Sequence, residues 1–104
     1  MNPDRQQLAA LAAQPPPIPN TGDVWAEVIA DTPESDLLHP LFVARREMGI
    51  AKYGTPLGRG NGRDFRADAV QEGVDGVAYC RGARDVVGEF LFKTAIRWVM
   101  WGRL

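Results

Sequence analysis

The chain of 104 residues is poor in the side chains that most often carry catalysis, with one cysteine and one histidine. The single cysteine, Cys80, excludes an intrachain disulfide, which fits a reducing compartment. His39 stands directly before Pro40 with no cysteine near it, so a Cys–His catalytic pair is not indicated. Cys80 is therefore expected to be a small buried residue.

Long apolar runs are also missing. No segment reaches the roughly 18 apolar residues that a membrane span requires. The apolar patch at residues 8–13 follows an acid and is too short for the apolar core of a signal peptide and its cleavage site. These absences predict a soluble protein of the cytoplasm.

Charge of either sign is nearly balanced, with 12 basic and 13 acidic residues and a net charge of −1. This balance gives no bulk electrostatic attraction toward nucleic acid or an anionic membrane. A small anionic substrate would need local basic residues, a metal ion, or both.

Alternation with the period of a β-strand is scarce, and apolar residues recur instead at helical spacing. We predict an all-α fold, a small bundle of about four helices completed by oligomerisation. The proline-rich run at residues 14–20 divides a flexible N-terminal segment, residues 1–20, from a single helical domain, residues 21–104. Four helices are predicted. The first follows Asp23 as its N-cap, and the second runs from Leu41 to about Lys52 with Gly54 as its C-cap. The third runs from about Arg63 to Cys80 with Asn61 as its cap, and the fourth runs from Arg84 to Trp101.

Acids form a stripe along the third predicted helix. Asp68, Glu72 and Asp75 share one face with Tyr79, and Asp64 lies just outside it. A solvated charged face is the ordinary explanation. However, like charges at this spacing repel by a few tenths of a kcal/mol per pair, and no basic residue lies on the stripe. Converging carboxylates without counter-charges favour a divalent cation. Tyr79 is expected to be a core residue.

Glycines interrupt the last two predicted helices, although each costs about 1 kcal/mol relative to alanine. They indicate the close approach of another helix, or else a helix weaker than the pattern suggests. These glycines are Gly73, Gly76, Gly82 and Gly88.

Three sequence runs resemble a known family. The run "QEGVDGVAY", residues 71–79, resembles the E-x-x-D helix of the MazG-like all-α nucleoside triphosphate pyrophosphohydrolases. The runs "RREMGIAKYGTPL", residues 45–57, and "NGRD", residues 61–64, are similar to the signature of a short phage-type branch often described as dATP/dGTP diphosphohydrolases. The resemblance covers roughly residues 41–81.

The resemblance implies hydrolysis of a (deoxy)nucleoside triphosphate to the monophosphate and pyrophosphate. The substrate that it favours is a purine deoxynucleoside triphosphate. It also implies a bound Mg²⁺ ion, for which Mn²⁺ could substitute. In the family pattern, acids from two helices hold the metal, one pair in the form E-x-x-E and the other in the form E-x-x-D. Glu72 and Asp75 match the second pair. The chain has no E-x-x-E, so Glu47 is the nearest candidate from the preceding helix and Asp68 a further ligand.

Basic and polar residues before the acids complete the predicted site. Lys52, Arg59 and Arg63 are expected to contact phosphates, and the glycine loop lets backbone N–H groups approach the same oxygens. Ordinary surface charge is the alternative for all three. Tyr53 and Asn61 either face the base or sugar or serve packing and capping, and Asp64 is assigned to substrate binding.

The C-terminal segment, residues 89–104, is apolar almost all round and is expected to be buried on several sides. The leading expectation is a subunit interface in a dimer or tetramer, and the alternatives are core packing or a helix lying at a membrane surface. For function, the alternatives to the enzyme are a non-catalytic nucleotide-binding or regulatory module of the same fold and a membrane-peripheral protein. If the enzyme is phage-encoded, it acts in the host cytoplasm.

Overall fold

The computed structural model describes residues 14–18 and 22–101. Within these residues it contains four α-helices and no strand, which confirms the all-α prediction. Chain contacts group into two units, Pro15–Arg63 and a second that contains Gln14 and residues 64–101. The remainder of the segment predicted to be flexible, residues 1–13 and 19–21, lies outside the described residues. The helices are α1 (Val24–Ala30), α2 (Leu38–Tyr53), α3 (Phe65–Gly82) and α4 (Val86–Trp101).

Asp23 joins α1 to α2 in the first unit. It is the N-cap of α1, as predicted, and its Oδ1 accepts a hydrogen bond of 2.9 Å from the Ala26 N–H. Its Oδ2 accepts from the Arg46 guanidinium on α2. This hydrogen bond, aided by that from Ala26, holds the pKa of Asp23 below its usual value. The rings of Trp25 and Phe42 pack between the same two helices at 5.9 Å.

Helix α2 begins at Leu38, earlier than the predicted Leu41, because Pro40 does not break the chain. Pro40 lies in the first turn, where backbone N–H groups have no intrahelical acceptor, so its missing N–H costs little. The helix ends at Gly54 with φ 79°, which confirms this residue as the C-cap.

Helix α3 begins at Phe65, and its N-cap is Asp64, not Asn61. The Asp64 Oδ1 accepts from the Ala67 N–H at 3.1 Å, whereas the Asn61 Oδ1 accepts from the Arg63 N–H inside the preceding loop. The sequence pointed to Asn61 because Asn and Asp are equally good N-caps, and only the backbone conformation separates them.

The turn between α3 and α4 places the start of α4 later than predicted. The Arg84 N–H donates to Arg81 and the Asp85 N–H to Cys80, the two bonds of a Schellman motif. Arg84 therefore has φ 59° instead of starting a helix. Asp85 caps α4 by accepting from the Gly88 N–H at 2.8 Å.

Three of the helical glycines lie where α3 packs on α4. A Cβ on Gly73 would come 2.7 Å from the Ile96 Cγ1, and one on Gly76 would come 2.7 Å from the Phe92 ring. On α4, a Cβ on Gly88 would come 2.8 Å from the Cys80 Sγ of α3. The predicted close approach is confirmed at these three positions, where side chains of the opposite helix fill the space. A Cβ on Gly82 would meet no atom within 4 Å, so no close approach explains that glycine.

The predicted burial of the C-terminal helix is wrong for the chain by itself. No residue of α4 is buried. On the side away from α3, where Thr94 and Arg97 are also exposed, six apolar residues each have half or more of their surface exposed: Val86, Val87, Phe90, Leu91, Trp98 and Trp101. We call these six residues the outer face of α4. Among the described residues, no helix combines the length and apolarity needed to cross a membrane.

Candidate functional site

The acidic stripe lies on the side of α3 opposite its buried residues. Ala67, Val70, Gly73 and Gly76 define this buried face. At 100° per residue, the acids lie about 160° around the helix from the centre of this face. Asp68 is half-buried, whereas Glu72 and Asp75 are exposed. The stripe is therefore accessible, as a ligand site requires.

Glu72 and Asp75 lack a hydrogen-bond or ion-pair partner among the described residues, a state that they share with the exposed acids Glu34 and Glu47. Among the described residues, neither carboxylate takes part in a hydrogen bond or an ion pair, whereas the acids at 23, 27 and 89 are all bonded to basic residues. Two unpaired carboxylates one helical turn apart repel each other. A bound cation would remove that repulsion.

The donor set suits a particular kind of metal site. Within residues 14–18 and 22–101, no three Asp, Glu, His or Cys side chains come close enough together to hold a metal ion. A closed protein cage is therefore not formed there. Mg²⁺ binds instead through one or two carboxylates, with waters and substrate phosphates as the remaining ligands. Glu72 and Asp75 fit that arrangement. Glu47 is an exposed residue of α2, in the first unit, and its assignment as a ligand stays a prediction.

Tyr79 continues the stripe one turn beyond Asp75. With 74% of its surface exposed it is not a core residue, so that expectation is wrong. The core of this unit is formed by the opposite side of α3, where small residues let α4 approach. Cys80 is half-buried, whereas a buried residue was expected.

Lys52 and Tyr53 form the exposed end of α2. The Lys52 Nζ lies 5.1 Å from the centroid of the Tyr53 ring, within the range of a cation–π interaction. The ammonium remains exposed and the described structure gives it no acid partner, so its charge is available to an anion.

Arg59 has a different role from the predicted phosphate contact in this structure. Its guanidinium donates to the Glu27 carboxylate of α1, and both side chains are exposed. The backbone of the same loop is tied to α1 where the Val24 N–H donates to the Leu57 carbonyl at 2.7 Å. These two contacts fix one side of the loop to α1.

Asn61 is the most deeply buried polar residue described, with 1% of its surface exposed. Its carbonyl oxygen accepts from the Ile18 N–H at 2.9 Å, and its Oδ1 accepts from the Arg63 N–H at 3.1 Å. Its Nδ2 is buried and has no acceptor. Buried polar groups are nearly always hydrogen-bonded, so a donor left in this state points to a missing acceptor.

Arg63 and Asp64 end the loop. The Arg63 guanidinium is half-buried and donates to the Pro15 carbonyl oxygen. Asp64 caps α3, and its N–H donates to the Gln14 side chain at 3.2 Å within the second unit. The cap accounts for one oxygen of Asp64, and its contact with substrate stays a prediction.

Sequence reasoning missed the contact of the proline-rich run with this loop. It treated the run as a spacer, although Pro15 and Ile18 both bond to the loop. A stiff proline run beside an apolar residue is a weak signal for such docking, because composition does not reveal where an extended segment binds.

The chain was compared with protein-family models, with curated proteins and with solved structures. None of the three comparisons gives a match. The family resemblance therefore depends on the three sequence runs alone.

Proposed function

We propose that the chain is a Mg²⁺-dependent pyrophosphohydrolase that converts a (deoxy)nucleoside triphosphate to the monophosphate and pyrophosphate. The favoured substrate is a purine deoxynucleoside triphosphate. The observation that carries the proposal is the pair of exposed, unpartnered carboxylates of Glu72 and Asp75 on α3. The family resemblance of the surrounding residues supplies the reaction. Control of a phage nucleotide pool in the host cytoplasm is the corresponding role.

Hydrolysis at the α-phosphorus breaks its bond to the bridging oxygen of the leaving pyrophosphate, while a water oxygen forms the new bond. The reaction needs no nucleophilic side chain, in keeping with the scarcity of Cys and His. Glu72 and Asp75 would hold Mg²⁺ or Mn²⁺, which would neutralise phosphate charge and make the attacking water more acidic. A carboxylate of the stripe would accept the proton that the water loses.

Substrate recognition is assigned to residues that carry positive charge or hydrogen-bond donors. Lys52 offers an exposed ammonium, and Arg63 offers a guanidinium that can bind phosphate oxygens in a bidentate manner. Tyr53 and Asn61 are assigned to the base or sugar, Asp64 to the substrate, and Asp68 and Glu47 to the metal.

The test is pyrophosphate release from a panel of nucleoside triphosphates with Mg²⁺, Mn²⁺ or a chelator. We expect Glu72→Gln and Asp75→Asn each to lower turnover by about 100-fold or more, because each removes a charge that acts on the reacting centre. Glu34→Gln is the matched control, since Glu34 is an exposed acid outside the stripe. Circular dichroism checks that each variant is helical. Undiminished turnover in Glu72→Gln would contradict the assignment.

A non-catalytic nucleotide-binding module is the second candidate. The absence of an E-x-x-E pair favours it, since the family pattern assigns half of the metal ligands to that pair. This candidate predicts nucleotide binding by calorimetry with no pyrophosphate released from any member of the panel.

We also propose a homo-oligomer, a dimer or tetramer, that buries the outer face of α4. Its support is the exposure of six apolar side chains on one helix, two of them tryptophans. A membrane surface is less well matched. The Lys93 ammonium, which would meet lipid headgroups, donates instead to the Glu89 carboxylate at 2.8 Å.

A further inference from the structure

The proline-rich segment, residues 15–18, lies against the glycine loop, residues 58–63, within the first unit. We call these residues the strap and the loop. Hydrogen bonds join them, among them one from the Ile18 N–H to the Asn61 carbonyl and one from the Arg63 guanidinium to the Pro15 carbonyl. The Ile18 Cγ1 lies 3.5 Å from where a Cβ on Gly62 would be, an ordinary van der Waals contact.

The strap uses groups that an anionic ligand would need. The Arg63 guanidinium donates to the Pro15 carbonyl, which is a neutral acceptor. A phosphate oxygen in place of this carbonyl would form a stronger, charge-assisted hydrogen bond. Asn61, whose carbonyl oxygen accepts from the Ile18 N–H of the strap, is buried, and its Nδ2 has no acceptor. While the strap lies on the loop, the Asn61 Nδ2 therefore has no hydrogen-bond acceptor, and an oxygen of a ligand would supply one.

The strap is stiff. Three consecutive prolines fix its φ angles, so it moves as a short rod without losing much conformational freedom. Its prolines have no N–H, so the Ile18 N–H is the backbone donor through which residues 15–18 bond to the loop. Because the segment moves as one piece, a ligand that competes for the Asn61 and Arg63 contacts can displace it as a whole.

We propose that the strap is an autoinhibitory contact: it covers Asn61 and Arg63, and a phosphate-bearing ligand binds these residues only when the strap is displaced. The proposal rests on the assignment of Arg63 to phosphate binding in the proposed function. It adds regulation, since any partner or modification that holds the strap away raises affinity for the ligand.

The test uses the full chain and inorganic tripolyphosphate, measured by calorimetry in a chelator so that binding is separated from turnover. Ile18→Pro removes the N–H donor while suiting the extended strap. We expect it to bind tripolyphosphate roughly three- to tenfold more tightly, the range that loss of one hydrogen bond allows. Pro16→Ala is the matched control, because Pro16 is an exposed strap residue outside these contacts, and its affinity should equal that of the wild type.

Hydrogen exchange of the Ile18 amide gives a second readout in the wild type. Addition of tripolyphosphate should speed this exchange as the strap leaves Asn61. Equal affinity of Ile18→Pro and wild type would overturn the strap while leaving phosphate binding, and the proposed function, in place. Failure of both proteins to bind tripolyphosphate would overturn the phosphate assignment of Arg63 and the strap with it.

Discussion

Glu89 shows how one side chain can link two helices. It lies on α4 and accepts hydrogen bonds from Arg81 of α3 and from Lys93 one turn along its own helix. Its side chain is only 13% exposed, so it is more shielded from solvent than its basic partners. The hydrogen bonds from Arg81, and then from Lys93, lower the pKa of Glu89 to about 2.

This pKa predicts a pH dependence of stability. A carboxyl group whose pKa is lower in the folded than in the unfolded state adds stability above its unfolded value, and that stability is lost as the pH falls through the folded value. We expect the contribution of Glu89 to be complete above about pH 4.5 and to disappear toward pH 2. Urea denaturation of the wild type and Glu89→Gln should show a difference at pH 6 that shrinks steadily below pH 4.5. A difference independent of pH would show that the ion pairs contribute nothing.

The helices could be predicted from the sequence because helical periodicity, proline and glycine act locally. Asp23 and Gly54 were identified as caps for this reason, and both are confirmed. The errors came where two local signals compete. Asn61 and Asp64 are both good caps, and Arg84 occupies a left-handed position that glycine usually takes, so neither boundary could be read from residue type.

Close packing between α3 and α4 gives a prediction for the helical glycines. Gly73→Ala would improve helix propensity by about 1 kcal/mol, but its Cβ would meet the Ile96 Cγ1 at 2.7 Å. Overpacking of this kind costs about 1–3 kcal/mol. We therefore expect a net loss of unfolding free energy of up to about 2 kcal/mol, measured by chemical denaturation.

Gly82→Ala is the matched control, because a Cβ there meets nothing within 4 Å and the helix gains propensity. It should leave the unfolding free energy unchanged or raise it by up to about 1 kcal/mol. Combining Gly73→Ala with Ile96→Ala should cost less than the sum of the single changes, since the smaller residue 96 makes room for the new methyl group. If Gly73→Ala stabilised the chain as much as Gly82→Ala, the close packing would be wrong.

For the whole molecule, the sequence predicted the class of fold better than the surroundings of its site. Periodicity places Glu72, Asp75 and Tyr79 on one face of α3, but it could not decide whether that face is buried, and Tyr79 is exposed. Arg59 pairs with Glu27, 32 positions away, and Arg63 bonds to Pro15, 48 positions away. Contacts this distant in sequence depend on the folding of the chain, which no local pattern encodes.

The exposed outer face of α4 predicts that the chain associates with itself. Full burial of a large apolar side chain contributes about 1.5–3 kcal/mol, so leaving six of them in water favours a partner surface of the same kind. We expect light scattering after size exclusion to give the mass of a dimer or tetramer for the wild type.

Trp98→Glu should shift that mass to the monomer, because it places a charge in the middle of the outer face, where Trp98 is 76% exposed. Leu41→Glu is the control: Leu41 is an apolar residue of α2 with 59% exposure, and its replacement should leave the mass unchanged. A wild-type monomer at about 100 µM, above the micromolar range where modest interfaces form, would contradict the oligomer. Flotation of that monomer with anionic liposomes, lost in Trp98→Glu, would instead assign the outer face to a membrane surface.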